Sequence, residues 1–151
     1  MLDTKETYRL MFPNSSNSSE ARVVTIPSAT ADASRVRNEL EQLLKQHEFD
    51  EKAIFGIQLA LEEAFINAIK HGNNNDPDKK VHITYRVTRE RFDIHIRDEG
   101  PGFDPNDVPD PLAPENLERD CGRGLLLMRH YMTQVEHHEP GNAVSMSKVK
   151  D

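Results

Sequence analysis

The sequence has no tryptophan, a single cysteine and no long apolar run, and each shortage removes a class of protein. Cys121, alone, cannot close an internal disulfide, so stability must come from a packed core, and a reducing compartment is the expected setting. No window approaches the ~18 consecutive apolar residues of a membrane span. The N-terminus also shows no basic segment followed by an apolar core, so a cytoplasmic protein with no membrane contact is expected. Positive charge is short as well. Lys+Arg total 19 against 26 Asp+Glu, a formal net charge of -7, which argues against nucleic acid as a partner and leaves room only for a local anion site. Aromatics are 6%, hydrophobic residues 36% and charged residues 30% of 151 residues, a composition that fits one soluble domain with a modest core and is too small for two.

Patterning then divides the chain. Residues 1–19 end in the polar run Asn14 to Ser19, which has little to bury and reads as a flexible tail ahead of a folded domain over residues 20–151. Arg22 to Ile26 is a β-branched run ending at Pro27, and after Ser28 the residues Ala33, Val36, Leu40, Leu43 and Leu44 recur at helical spacing. Asp50 is placed to cap a second helix, with Ile54, Ile57, Leu61, Ala64, Phe65 and Ala68 on its apolar face and a stop at Gly72. Asn73 to Pro77 is turn chemistry. Val81, Ile83, Tyr85 and Val87 alternate with polar residues, as do Phe92, Ile94 and Ile96, which predicts an antiparallel hairpin. Prolines 101, 105, 109, 111 and 114 make Asp98 to Gly124 a long loop. A third helix from about Gly124 to Val135 and a closing strand, Ala143 to Val149, complete the order. The fold class expected is α+β: a two-layer sandwich whose mixed, mostly antiparallel sheet carries helices on one face.

Three constellations carry chemistry. Glu63, Asn67 and His71 are four residues apart on the second helix, one ladder flanked by Phe55, Leu59 and Ile66 on one side and Ile57, Ala64 and Ala68 on the other. A polar row in apolar surroundings needs partners, and a carboxylate base beside an amide oxygen suits a Mg-phosphate site. A solvated stripe ending in a His near the helix C-terminus accounts for the spacing equally well. Next, Asp98-Glu99-Gly100-Pro101-Gly102 directly follows a strand, where a carboxylate can accept a hydrogen bond from an exocyclic amine while side-chain-free backbone passes close to a ligand. An ordinary turn is the alternative. Last, Gly122-Arg123-Gly124 precedes the third helix and suits a phosphate at the helix N-terminus, or else is a flexible loop end. His137 and His138 read as surface residues, and Cys121 as a packing residue.

Taken in this order, the three strings resemble a known superfamily. Leu61 to Gly72 resembles the N box of the GHKL ATPases, Asp98-x-Gly100-x-Gly102 their G1 box, and Gly122-Arg123-Gly124-Leu125 their G2 box. The short length, the N-terminal strand and helix, and the ending from Met128 to Lys148 are most similar to the RsbW-type anti-sigma factors, which are serine-protein kinases. The resemblance spans about residues 21–149 and implies a Bergerat-type ATP-binding fold with ATP and Mg as cofactors. It implies Glu63 as the general base, Asn67 as the Mg ligand, and Asp98 as the adenine-binding carboxylate with Gly100 and Gly102 admitting the base. Gly122, Arg123 and Gly124 would meet the phosphates, residues 112–121 would form a lid, and His71 and Asn73 would lie at the end of the N box near phosphate or Mg. The implied partners are an anti-anti-sigma protein of the STAS type, phosphorylated on Ser, and a sigma factor, and homodimerisation rests on the resemblance alone. Family members often carry a Thr after the Gly of the last strand, whereas this chain has Gly141-Asn142-Ala143. That departure keeps a second reading open, an ATP-dependent binding module that sequesters a regulator without turnover.

Overall fold

The computed structural model describes residues 21–102, 120–138 and 141–150. The expected N-terminal tail and most of the expected lid lie outside them. In chain order the elements are β1 (Arg22–Pro27), α1 (Thr30–Gln46), α2 (Glu51–Ile66) with a π-helical continuation (Asn67–Gly72), β2 (Lys80–Val87), β3 (Arg91–Arg97), α3 (Asp120–Tyr131), β4 (Gln134–His138) and β5 (Ala143–Val149). The expected Asp50 cap is present, its carboxylate accepting the Ala53 N–H at 2.7 Å. Among the described residues no helix is long and apolar enough to cross a membrane.

The five strands form one sheet in the order β1-β2-β3-β5-β4, and all of the pairings are antiparallel, so the sheet is not mixed. Register decides which side chains share a face. Ile83 lies opposite Ile96, which lies opposite Val144, and Tyr85, Ile94 and Met146 form the next row. These side chains are buried together with Leu40 and Leu44 of α1, Ile57, Leu61 and Phe65 of α2, and Met128 of α3. Burying each large aliphatic or aromatic side chain contributes about 1.5–3 kcal/mol, so this single layer between helices and sheet is the main source of stability.

The opposite face of the sheet is polar yet also buried. Thr84, Arg86, Asp93, His95, Ser145 and Ser147 are each less than a tenth exposed. Asp93 is held by a forked pair with Arg91, at 2.8 Å for the shortest bond, and by the Ser147 hydroxyl at 2.7 Å. Ser145 Oγ lies 2.9 Å from His95 Nδ1 and 2.7 Å from His138 Nε2. Buried polar groups on this face are therefore paired chiefly across strands, as their burial requires.

Two sequence expectations change. The third helix covers Asp120–Tyr131 rather than Gly124 to Val135, and Val135 belongs to β4, a strand that the sequence pattern did not reveal. Gln134–His138 has one apolar residue in five positions, too weak an alternation to read alone. It becomes a strand because β5 offers it a partner, with Val135 set opposite Met146. His137 and His138 thereby leave the surface and become half-buried.

Burial, reinforced by His138 and Arg97 nearby, lowers the pKa of His95 from 6.5 to about 4. The folded protein therefore holds this ring neutral while the unfolded chain protonates it. Its contribution to stability is complete above the unfolded pKa and is lost as pH falls from about 6.5 towards 4. Urea denaturation at pH 7 and pH 5 should show a loss on the order of 1–2 kcal/mol from this residue. In His95→Gln the difference between the two pH values should shrink; an unchanged difference would refute the assignment.

Candidate functional site

The expected ladder lies on the last turns of α2 and its continuation. Glu63 and Asn67 are half-buried, and His71 is exposed. Their surroundings are apolar on one side, where Ile57, Ala64 and Ala68 are buried, and open on the other, where Phe55 is 61% exposed. The helix does not simply stop at Gly72. Asn67–Gly72 widens to π-helical geometry, and the Asn73 N–H bonds to the Ala68 carbonyl five residues back at 2.9 Å. Such widening recurs at functional sites because it re-aims the side chains that follow it.

What the widened turn meets is the segment after β3. A Cβ on residue 72 would fall inside the Asp98 carboxylate, and a Cβ on residue 100 would fall on the Gly72 carbonyl. Gly72 and Gly100 are thus glycine because two backbone segments and one carboxylate occupy space that a side chain needs. Asp98 itself is 8% exposed. Its Oδ1 accepts the Gly100 N–H at 2.8 Å. Burial raises its pKa above the ordinary carboxylate range, opposed by the Gly100 bond and by Lys79. Gly102 follows with φ 89, backbone that favours glycine.

Asn142 lies in the Gly141-Asn142-Ala143 stretch that lacks the family's Thr. Its carbonyl accepts the Asp98 N–H at 2.9 Å and its side-chain amide donates to the Asp98 carbonyl at 3.2 Å. The position is therefore polar and engaged with the backbone of Asp98. Asn73, expected near phosphate or Mg, is fully buried with its side chain bonded to protein atoms, which leaves it no surface for a ligand. Gly122, Arg123 and Gly124 lie inside the first turns of α3, not in a loop before it. Tyr131, near the other end of α3, packs on Gly56 near the start of α2. The two helices pack together along this contact. Residues 112–119 of the expected lid lie outside the described residues.

The donor set fits the implied cofactors. Glu63 and Asn67 offer oxygens suited to a hard cation. Among the described residues no group of three His, Cys, Asp or Glu is placed to hold a metal ion. A buried carboxylate edged by bare backbone suits the amine edge of a purine.

Comparison with known proteins places the sequence in a family. Residues 26–148 match the family model described as "Histidine kinase-like ATPase domain". A serine-protein kinase RsbW of Listeria innocua is 24% identical over 130 residues, covering 82% of this chain and 83% of the relative. The serine/threonine-protein kinase BtrW of Bordetella bronchiseptica is 29% identical over 100 residues, covering 65% and 70%. An anti-sigma F factor of Oceanobacillus iheyensis is 36% identical over 98 residues, covering 61% and 66%.

The contact at residue 72 makes a direct test. Gly72→Ala must displace Asp98, and overpacking of this kind costs about 1–3 kcal/mol. Urea denaturation should show that loss, and the affinity for a non-hydrolysable ATP analogue, read by calorimetry, should fall at least about tenfold. Wild-type affinity in this variant would separate Gly72 from the nucleotide pocket.

Proposed function

The chain belongs to the histidine kinase-like ATPase domain family, with an RsbW-type sequence, and on that premise we propose that it is an ATP-dependent serine-protein kinase acting in a partner switch. Its substrate is a Ser on an anti-anti-sigma partner of the STAS type, and its second partner is a sigma factor that it sequesters. The single observation that carries the reading is the packing of Gly72 against Asp98 and Gly100, which joins the helix bearing Glu63 and Asn67 to the purine-reading carboxylate.

ATP bound there supplies the transferable phosphoryl group, and Mg neutralises its charge. The roles of the chain's own residues follow. Asp98 accepts a hydrogen bond from the exocyclic amine of adenine, for which its carboxylate must be ionised. Asn67 would hold the Mg ion through its amide oxygen. Gly122, with the open N–H groups of the first turn of α3 and the positive end of its dipole, faces phosphate oxygens, and Arg123 and Gly124 follow in the next turn. Glu63 takes the proton from the Ser hydroxyl of the partner as the phosphoryl group arrives. Phosphoryl transfer asks mainly for positioning and charge neutralisation, so this short list suffices.

Two outcomes test the reading. With labelled ATP and a purified STAS-type partner, Glu63→Ala should slow transfer by about 10²–10⁴-fold while ATP binding stays within a few-fold of wild type. Transfer at the normal rate would dismiss Glu63 as the base. Binding without any transfer by the wild-type protein would favour the non-catalytic binding module. Because burial raises the pKa of Asp98, ATP affinity should begin to decline on acidification at a higher pH than an ordinary carboxylate would give. Calorimetric titrations across the acid range check this, and Asp98→Asn should remove the pH dependence along with most of the affinity.

A further inference from the structure

Asn73 falls in a run of three asparagines that reads, as sequence, like turn filler. The fold gives it a different status. It is 0% exposed, and its amide makes three hydrogen bonds to three separate segments. Nδ2 donates to Ser28 Oγ and to the Lys80 carbonyl, both at 2.9 Å, and Oδ1 accepts the Glu99 N–H at 2.7 Å. Ser28 in turn donates to the Lys79 carbonyl at 2.7 Å. One buried amide thus ties the loop before α1, the start of β2 and the turn after β3 to the end of the π-helical segment.

The turn it reaches is the one that carries Asp98. Three successive N–H groups there have named acceptors: Asp98 N–H bonds to the Asn142 carbonyl, Gly100 N–H to the Asp98 carboxylate, and Glu99 N–H to Asn73. Of the three, only the middle bond uses a side chain from outside the turn. The Glu99 carboxylate is anchored separately, by the Lys80 N–H and the His82 ring, each at 2.8 Å, so it reports on the side chain and not on the peptide plane. The peptide between Asp98 and Glu99 is therefore held at both ends, its carbonyl by the Asn142 amide at 3.2 Å and its N–H, more tightly, by Asn73 at 2.7 Å.

We infer that Asn73 is a positioning residue that sets the base selectivity of the pocket by fixing the peptide plane next to Asp98. The inference rests on the ATP reading given above. Adenine presents an amine at C6, where guanine presents a carbonyl oxygen, and a carboxylate held in place accepts from the first and repels the second. Discrimination of this kind depends on a polar group that cannot relax to meet the wrong partner. Removing the Asn73 oxygen leaves the Glu99 N–H without its acceptor and the peptide plane held only from the Asn142 side, by the longer bond.

The test compares Mg-loaded, non-hydrolysable ATP and GTP analogues by calorimetry on the full chain. The wild type should prefer the ATP analogue, and in Asn73→Ala the ratio of the two affinities should fall at least about tenfold. Asn73→Asp keeps an oxygen opposite the Glu99 N–H and should restore most of the ratio, even where stability is lowered. Ser28→Ala removes one partner of Nδ2 without touching the Glu99 bond, so it should lower the melting temperature and leave the ratio at the wild-type value. If Asn73→Ala does not fold, Asn73→Ser, too short to span both sides, carries the same expectation. A wild-type ratio in Asn73→Ala or Asn73→Ser would overturn the inference, because a purely structural role weakens both nucleotides alike. A wild-type protein with no preference for ATP would instead overturn the ATP reading, and the inference with it.

Discussion

The Gly72 carbonyl occupies the place where residue 100 would otherwise carry a side chain, and the Asp98 carboxylate occupies the same kind of place at residue 72. This mutual exclusion governs much of the rest. It coincides with the widened end of the helix, brings its last residues against the end of β3, and thereby sets one carboxylate beside the helix that carries Glu63 and Asn67. Close approach of backbones is available only to glycine, so the two positions act as one constraint. The cost of burying Asp98 is met locally by the Gly100 N–H and by the nearby charge of Lys79.

Polarity is managed by pairing rather than by exposure. The second face of the sheet buries Asp93, His95, Ser145 and Ser147, and the bonds run across strands, from Ser147 to Asp93 and between Ser145 and two histidine rings. A chain of net charge -7 that is to receive a polyphosphate faces a related problem. In the proposed reading, backbone N–H groups at a helix N-terminus and a metal shared with the ligand would supply that positive charge locally, in place of bulk positive charge.

Helices α1 and α2 and strands β1, β2, β3 and β5 could be read directly, because each repeats apolar residues at its own period over enough positions. The Asp50 cap was legible for a similar reason, since its partner lies three residues away. β4 was not legible, since Gln134–His138 is a strand only by virtue of β5 beside it. The start of α3 was misplaced because its glycines read as a loop, whereas they lie inside the helix. The site residues divide along the same line. Glu63, Asn67 and Asp98 stood out through spacing and position, while Asn73 and Asn142, whose partners are distant in sequence, did not reveal what they bond.

The sequence by itself determined the element types over most of the described chain, the motif order, and the residue types available for chemistry, because helix and strand periods are properties of the local backbone. Only the tertiary structure decided which of two neighbouring asparagines meets solvent and which is buried, that the second helix widens after Ile66, and that a weak five-residue run closes the sheet. Each of those outcomes depends on a partner many residues away. Local patterning carries no record of such partners, and burial and hydrogen bonding are settled only when the segments meet.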